Sequence, residues 1–157
     1  MIDKIHLGYT TAPTKARAEA WRVKLFCEAI GEADSVYWDR AAAQSAGLPA
    51  CPVPPTFLKA MESEHCSSAT LLQHLNVPVR KVLHAEQSFE HFMPVYVGDE
   101  VEMSRTISDL YDKRGGALSF IVVRTRYKVR NQVACESTQT ILVRNEPVPD
   151  AGEARAK

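Results

Sequence analysis

The run Leu118-Ser119-Phe120-Ile121-Val122-Val123-Arg124-Thr125-Arg126-Tyr127-Lys128-Val129-Arg130 decides the architecture. Ile121, Val123, Tyr127 and Val129 fall on one side of it, Arg124, Arg126, Lys128 and Arg130 on the other. Side chains with a period of two point to alternate faces of an extended chain, so this is a strand with one apolar face. The same period continues on both sides. Residues 100–111 set Val101, Met103, Ile107 and Tyr111 against Glu102, Ser104, Thr106 and Ser108. Residues 82–93 set Leu83, Ala85, Gln87 and Phe89 against His84, Glu86, Ser88 and Glu90, and a fourth strand spans 133–144. Turn residues separate the runs: Gly98-Asp99 within 94–99, Gly115-Gly116 within 112–116, and the pair Asn131-Gln132. Strands joined this closely predict an antiparallel meander.

Before residue 76 the period is helical. A helix is expected over 14–30, with Trp21, Leu25, Ala29 and Arg22, Phe26, Ile30 on its apolar flank. Thr14 would cap its start and Gly31 its end. An alanine-rich helix over 40–46 stops at Gly47, and Pro49, Pro52, Pro54 and Pro55 make 48–55 a rigid extended link. A further helical region lies within 56–75, where Ser67 and Ser68 can divide it in two. Helices followed by a meander give an α+β domain. Long antiparallel strands wrapped around a central helix describe a single hot-dog domain over 1–144. Residues 145–157, polar and containing Pro147 and Pro149, are expected to be a flexible tail.

Composition narrows the function. A length of 157 residues suits one domain, and 45% hydrophobic with 24% charged residues suits a globular one. The 19 basic residues balance 19 acidic ones, which argues against nucleic-acid or membrane-surface binding. No apolar run approaches the roughly 18 residues of a membrane span, and residues 1–11 lack the pattern of a secretory leader. Cys27, Cys51, Cys66 and Cys135 are widely spaced, so reduced thiols and a cytoplasmic location are expected. No metal site is expected, because the adjacent His65 and Cys66 do not have ligand spacing. The serine-hydrolase, P-loop and dinucleotide motifs are absent.

Several segments in order carry a resemblance. They are Ala29-Ile30-Gly31, Val36-Tyr37-Trp38-Asp39, Ala46-Gly47, Val53-Pro54-Pro55-Thr56-Phe57, Val82-Leu83-His84-Ala85-Glu86-Gln87, Pro94 with Gly98-Asp99, and Tyr111-Asp112-Lys113-Arg114-Gly115-Gly116. Together they resemble the MaoC-like dehydratases, in the branch known as FAS1-like dehydratase or the N-terminal half of MaoC dehydratase. That resemblance implies a hot-dog fold and reversible hydration of a trans-2-enoyl thioester to the (R)-3-hydroxyacyl product. The acyl group would ride on coenzyme A or acyl carrier protein, with no other cofactor. It also implies a homodimer, or a heterodimer with a catalytic hydratase subunit.

Active members use an Asp and a His in a G-D-x-N-P-x-H segment. Here the segment is Gly31-Glu32-Ala33-Asp34-Ser35-Val36-Tyr37. Glu32 stands at the Asp position, Asp34 at the Asn position and Tyr37 at the His position. A phenol with a reference pKa of about 10 is a poor base near neutral pH. Glu32 is one methylene longer than Asp, and a shift of about 1 Å can cost about 10²-fold in rate. The chain therefore reads as the acyl-binding half of a hydratase. Glu32, Tyr37 and His84 are its candidate catalytic residues, and Asp34, Pro55, Thr56, Phe57 and Leu83 its candidate substrate-binding residues. The competing reading makes His84 a strand histidine at a sheet edge or dimer seam, and Tyr37 a filler of the vacated His position. Pro55, Thr56 and Phe57 would open the central helix, whose free N–H groups can hold a thioester oxyanion. The basic face of residues 124–130 can meet coenzyme A phosphates or an acidic carrier, or simply be a solvated strand face. Two other readings stay open: a thioesterase using Glu32 or Glu64, and a scaffold subunit that stabilises a catalytic partner.

Overall fold

The computed structural model describes residues 2–145. Among these, five antiparallel strands form one sheet in the order β1-β3-β4-β5-β2. Their spans are β1 Thr14–Arg17, β2 Val82–His91, β3 Glu100–Lys113, β4 Leu118–Val129 and β5 Gln132–Arg144. Helices α1 Ala20–Ile30, α2 Arg40–Ser45, α3 Phe57–His65 and α4 Ser68–His74 precede the four long strands. The result is the expected α+β hot-dog domain. Of the expected tail, Asn145 donates from Nδ2 to Gly116 O and Ser119 Oγ, both at 2.7 Å. Residues 146–157 lie outside the described residues.

The apolar alternation of β3, β4 and β5 covers the helices with two clusters. One gathers Val23, Cys27, Phe57, Leu58, Met61, Val101, Met103 and Tyr127 under α1 and α3. The other gathers Leu71, Leu72, Ile107, Leu110, Ile121 and Ile141 under α4. Ser67 accepts from the Ala69 N–H at 3.2 Å and so starts α4, which separates it from α3 at the expected place.

Four expectations are corrected. The helix over 14–30 begins only at Ala20. Thr14–Arg17 instead pairs with Glu100–Met103 at the sheet edge, with Ala16 turned into the core. Thr14 is thus a strand residue and not a cap. The buried face of α1 is Val23 and Cys27, while Trp21, Leu25 and Ile30 are more than half exposed. In β3 a bulge between Ile107 and Asp109 shifts the register, so Leu110 and not Tyr111 enters the core. Tyr111 stacks on Phe120 with centroids 4.8 Å apart. Last, the β4–β5 turn is Arg130-Asn131, at φ 49° and 66°, one residue earlier than expected. Both central residues of a two-residue hairpin turn of the common type need positive φ, which Asn tolerates well.

Candidate functional site

The extended proline link, the start of α3 and the segment after β2 enclose an open cavity of about 430 Å³. Pro52 bridges to Tyr96 and Val53 N–H donates to Val95 O at 2.8 Å, which fixes these two walls against each other. Val53, Pro55, Leu58, Phe92, Met93 and Val95 make the lining mostly apolar. Two polar side chains join them, Tyr37 from the loop after α1 and His91 from the end of β2.

The loop of residues 31–38 is shaped by its own carboxylates. Gly31, at φ 73°, ends α1 with its N–H directed to Cys27 O and Glu28 O. Glu32 Oε1 accepts the Asp34 N–H at 2.9 Å, and Asp34 Oδ1 accepts the Val36 N–H at 3.0 Å. The single 3₁₀ turn Ser35–Tyr37 that follows presents Tyr37 to the cavity. Burial pushes the Tyr37 phenol above its ordinary pKa, and the nearby Glu32, Asp34 and Cys27 push it the same way. Tyr37 is therefore a protonated donor at neutral pH.

At the start of α3, Pro54 and Pro55 bring no N–H. The Phe57 N–H is taken by Pro54 O at 2.9 Å and the Lys59 N–H by Thr56 O at 3.1 Å. The donors a helix start leaves over are thus reduced to those of Thr56 and Leu58. The Thr56 side chain is exposed and makes no cap. Phe57 is 1% exposed and packs edge-on against Phe26 at 5.5 Å, as a core residue.

Of the residues singled out by sequence, the structure brings Tyr37 and Pro55 to the cavity. It leaves Glu32 and Asp34 engaged with their own loop. His84 lies before a bulge in β2, exposed, with Nε2 3.1 Å from Glu86 O. Leu83 is exposed on the same edge strand. Glu64 of the thioesterase reading pairs with Arg22 of α1. On the basic face of β4, Arg126 pairs with Glu136, Lys128 with Glu102 and Arg130 with Asp99. That face is a mixed, solvated one.

Two groups of residues escaped the sequence. One is His91, whose signal was its parity with Gln87 and Phe89. The other lies one turn along α3 from Leu58. Glu62, 1% exposed, accepts from Lys59 Nζ at 2.8 Å and from the Tyr127 hydroxyl at 2.5 Å. Arg105 Nη1 stands 3.9 Å from the same carboxylate, and its Nη2 donates to Ser67 O at 2.8 Å. Burial, then Glu62, raises the Tyr127 pKa far above the ordinary value. Among the described residues no cluster of three or more His, Cys, Asp or Glu side chains could hold a metal, and the four cysteines are buried and free. No described helix is long and apolar enough to cross a membrane.

A family model described as "FAS1-like, dehydratase domain region" matches residues 5–137. A UPF0336 protein of Saccharopolyspora erythraea is 27% identical over 155 residues, covering 97% of each chain. A chain of the C-terminally truncated HadBC (3R-hydroxyacyl-ACP dehydratase) complex of Mycobacterium tuberculosis superposes with a TM-score of 0.77. It is 18% identical and covers 87% of this chain and 96% of that one. The (R)-hydratase of A. caviae involved in PHA biosynthesis gives a TM-score of 0.67 at 20% identity, over 86% and 94%. At those identities the two structures show the shared hot-dog fold.

Proposed function

The chain belongs to the FAS1-like dehydratase family, and from that membership we propose that it is the acyl-binding subunit of an (R)-specific enoyl-thioester hydratase / 3-hydroxyacyl-thioester dehydratase. The observation that carries this reading is the cavity at the start of α3. Its wall is apolar, as an acyl chain requires. The loop beside it carries Glu32 and Asp34 at the positions that match the family's catalytic segment, but both accept backbone N–H groups of that loop. A carboxylate so engaged is poorly placed to activate water beside the substrate's C3. The chemistry then falls to a partner subunit that keeps the Asp and the His.

The substrate arrives as a thioester of coenzyme A or acyl carrier protein, and the reaction calls for no metal or redox group. The edge strand β2, ten residues long with Leu83 46% exposed, is where a second hot-dog subunit would extend the sheet. An interface above about 1,000 Å² is expected there.

The test is hydration of crotonyl-CoA, followed by loss of the enoyl absorbance. Each missing acid or base typically costs about 10²–10⁴-fold, so the purified chain should be slow or inactive. Mixed with a hydratase that retains Asp and His, it should raise that partner's rate or widen its chain-length range. Brisk hydration by the chain alone, abolished by Glu32→Ala, would refute the reading.

A further inference from the structure

We infer that His91, with Tyr37, holds the carbonyl oxygen of the bound acyl thioester; this rests on the acyl-thioester reading above and adds a residue from outside the loop. Among the described residues lining the cavity, only Tyr37 and His91 carry polar side chains. A pocket otherwise built of Pro, Val, Leu, Met and Phe suits a ligand that is apolar apart from one acceptor. It offers no carboxylate for a cation and no basic cluster for a phosphate. An acyl thioester has that make-up at its reacting end: a hydrocarbon chain and one carbonyl.

The placement of His91 follows from strand geometry. Beyond the bulge between His84 and Glu86, β2 is regular, pairing Glu86 with Thr140 through to His91 with Cys135. Phe89 packs against the core under α3. His91 is two residues on and therefore on the same face. The two rings lie nearly parallel, with centroids 6.0 Å apart and planes 18° from parallel. His84 stands on the other side of the bulge and takes no part.

Both side chains are donors at neutral pH. The Tyr37 phenol stays protonated because burial and the loop carboxylates oppose its ionisation. An imidazole carries at least one N–H in either protonation state. Two donors arriving from separate elements can converge on one oxygen. They would strengthen as that oxygen gains negative charge during addition of water. The imidazole that the loop lacks at residue 37 is thus supplied from the end of β2.

The experiment compares butyryl-CoA with butyl-CoA, a thioether without the carbonyl oxygen, by calorimetric titration of the full chain. A hydrogen bond contributes about 0.5–1.5 kcal/mol, about two- to tenfold in affinity. Wild type should therefore prefer butyryl-CoA clearly. His91→Ala and Tyr37→Phe should each reduce that preference by about two- to tenfold. Neither should change affinity for butyl-CoA, and His91→Asn, which keeps a donor, should restore part of the preference. Equal weakening of both ligands by His91→Ala, or no weakening, overturns the inference and leaves the acyl-binding reading standing. Wild type that binds neither ligand overturns both. Circular dichroism and melting of each variant confirm that it is folded.

Discussion

Two polar centres sit one turn apart on α3, and they are built in opposite ways. At Leu58 the helix borders an open cavity whose polar groups come from the loop after α1 and the end of β2. At Glu62 it meets a closed cluster in which Lys59, Tyr127 and Arg105 converge on one carboxylate. In the closed cluster, groups from α3, β3 and β4 gather around the Glu62 carboxylate of α3, Arg105 also donates to Ser67 O at the start of α4, and the buried Arg105 Nε is left without a partner. Such a cluster fixes how the helix lies on the sheet. The open one has Tyr37 and His91 on its wall, the two groups proposed to meet the acyl thioester. Burial and charge therefore mark the part of α3 that holds the fold, and an open apolar lining with two polar side chains marks the part proposed to bind the acyl group.

The sharpest way to break the contrast is to remove Glu62. Glu62→Leu leaves the buried Arg105 without its carboxylate and should destabilise the fold by about 3–5 kcal/mol, read as a fall in the urea midpoint. The double variant Glu62→Met/Arg105→Met should recover much of that loss, because apolar groups can replace a buried pair at little cost. A single variant as stable as wild type would mean that the cluster does not fasten α3.

A smaller effect is expected with pH. The folded-state pKa of Tyr127 lies above its unfolded value, so its contribution is complete below the unfolded value and is lost as pH rises past it. Above about pH 10 the unfolded phenol ionises while the folded one stays protonated, costing about 1.4 kcal/mol per pH unit. Cys135, whose thiol burial pushes up to about 11, starts the decline earlier, from its ordinary value of 9.0. Tyr37 acts in the same direction as Tyr127. Urea midpoints at pH 8 and above pH 10 measure this, and Tyr127→Phe should flatten the alkaline part.

The smallest effect is expected at Glu32. Glu32→Ala removes one side-chain cap from the loop and should lower stability by about 0.5–1 kcal/mol, with affinity for butyryl-CoA moving less than about twofold. A loss of affinity as large as that of His91→Ala would show that the loop carboxylates, too, belong to the binding centre.

The contrast between these centres was partly legible beforehand. The alternation in residues 118–130 and the proline run before Phe57 placed the strands and the start of the central helix, and the loop after Gly31 pointed to Tyr37. The residues 14–17 were not legible as a strand. Only Ala16 among them is buried, and their extended state comes from pairing with β3. The stripe of Trp21 and Leu25 misled in the same way: a periodic apolar face is usually buried, but here α1 turns Val23 and Cys27 inward. His91 was hidden because its face is assigned only by continuing the parity of β2 past Phe89 to the open end of the sheet.

Local chemistry determined the elements of this protein. Period, proline, glycine and asparagine act over a few residues, so the sequence alone set the α+β class, the antiparallel meander and the division of α3 from α4. Tertiary structure decided which distant side chains meet. Glu62 meets Arg105 and Tyr127, and Tyr37 and His91 come to the wall of one cavity, only once the sheet has wrapped the helix. A bulge of one residue in β2 or β3 then decides which face each side chain takes. Those outcomes depend on strand pairing and on the cost of burying a charge without a partner, and neither is a property of any single segment.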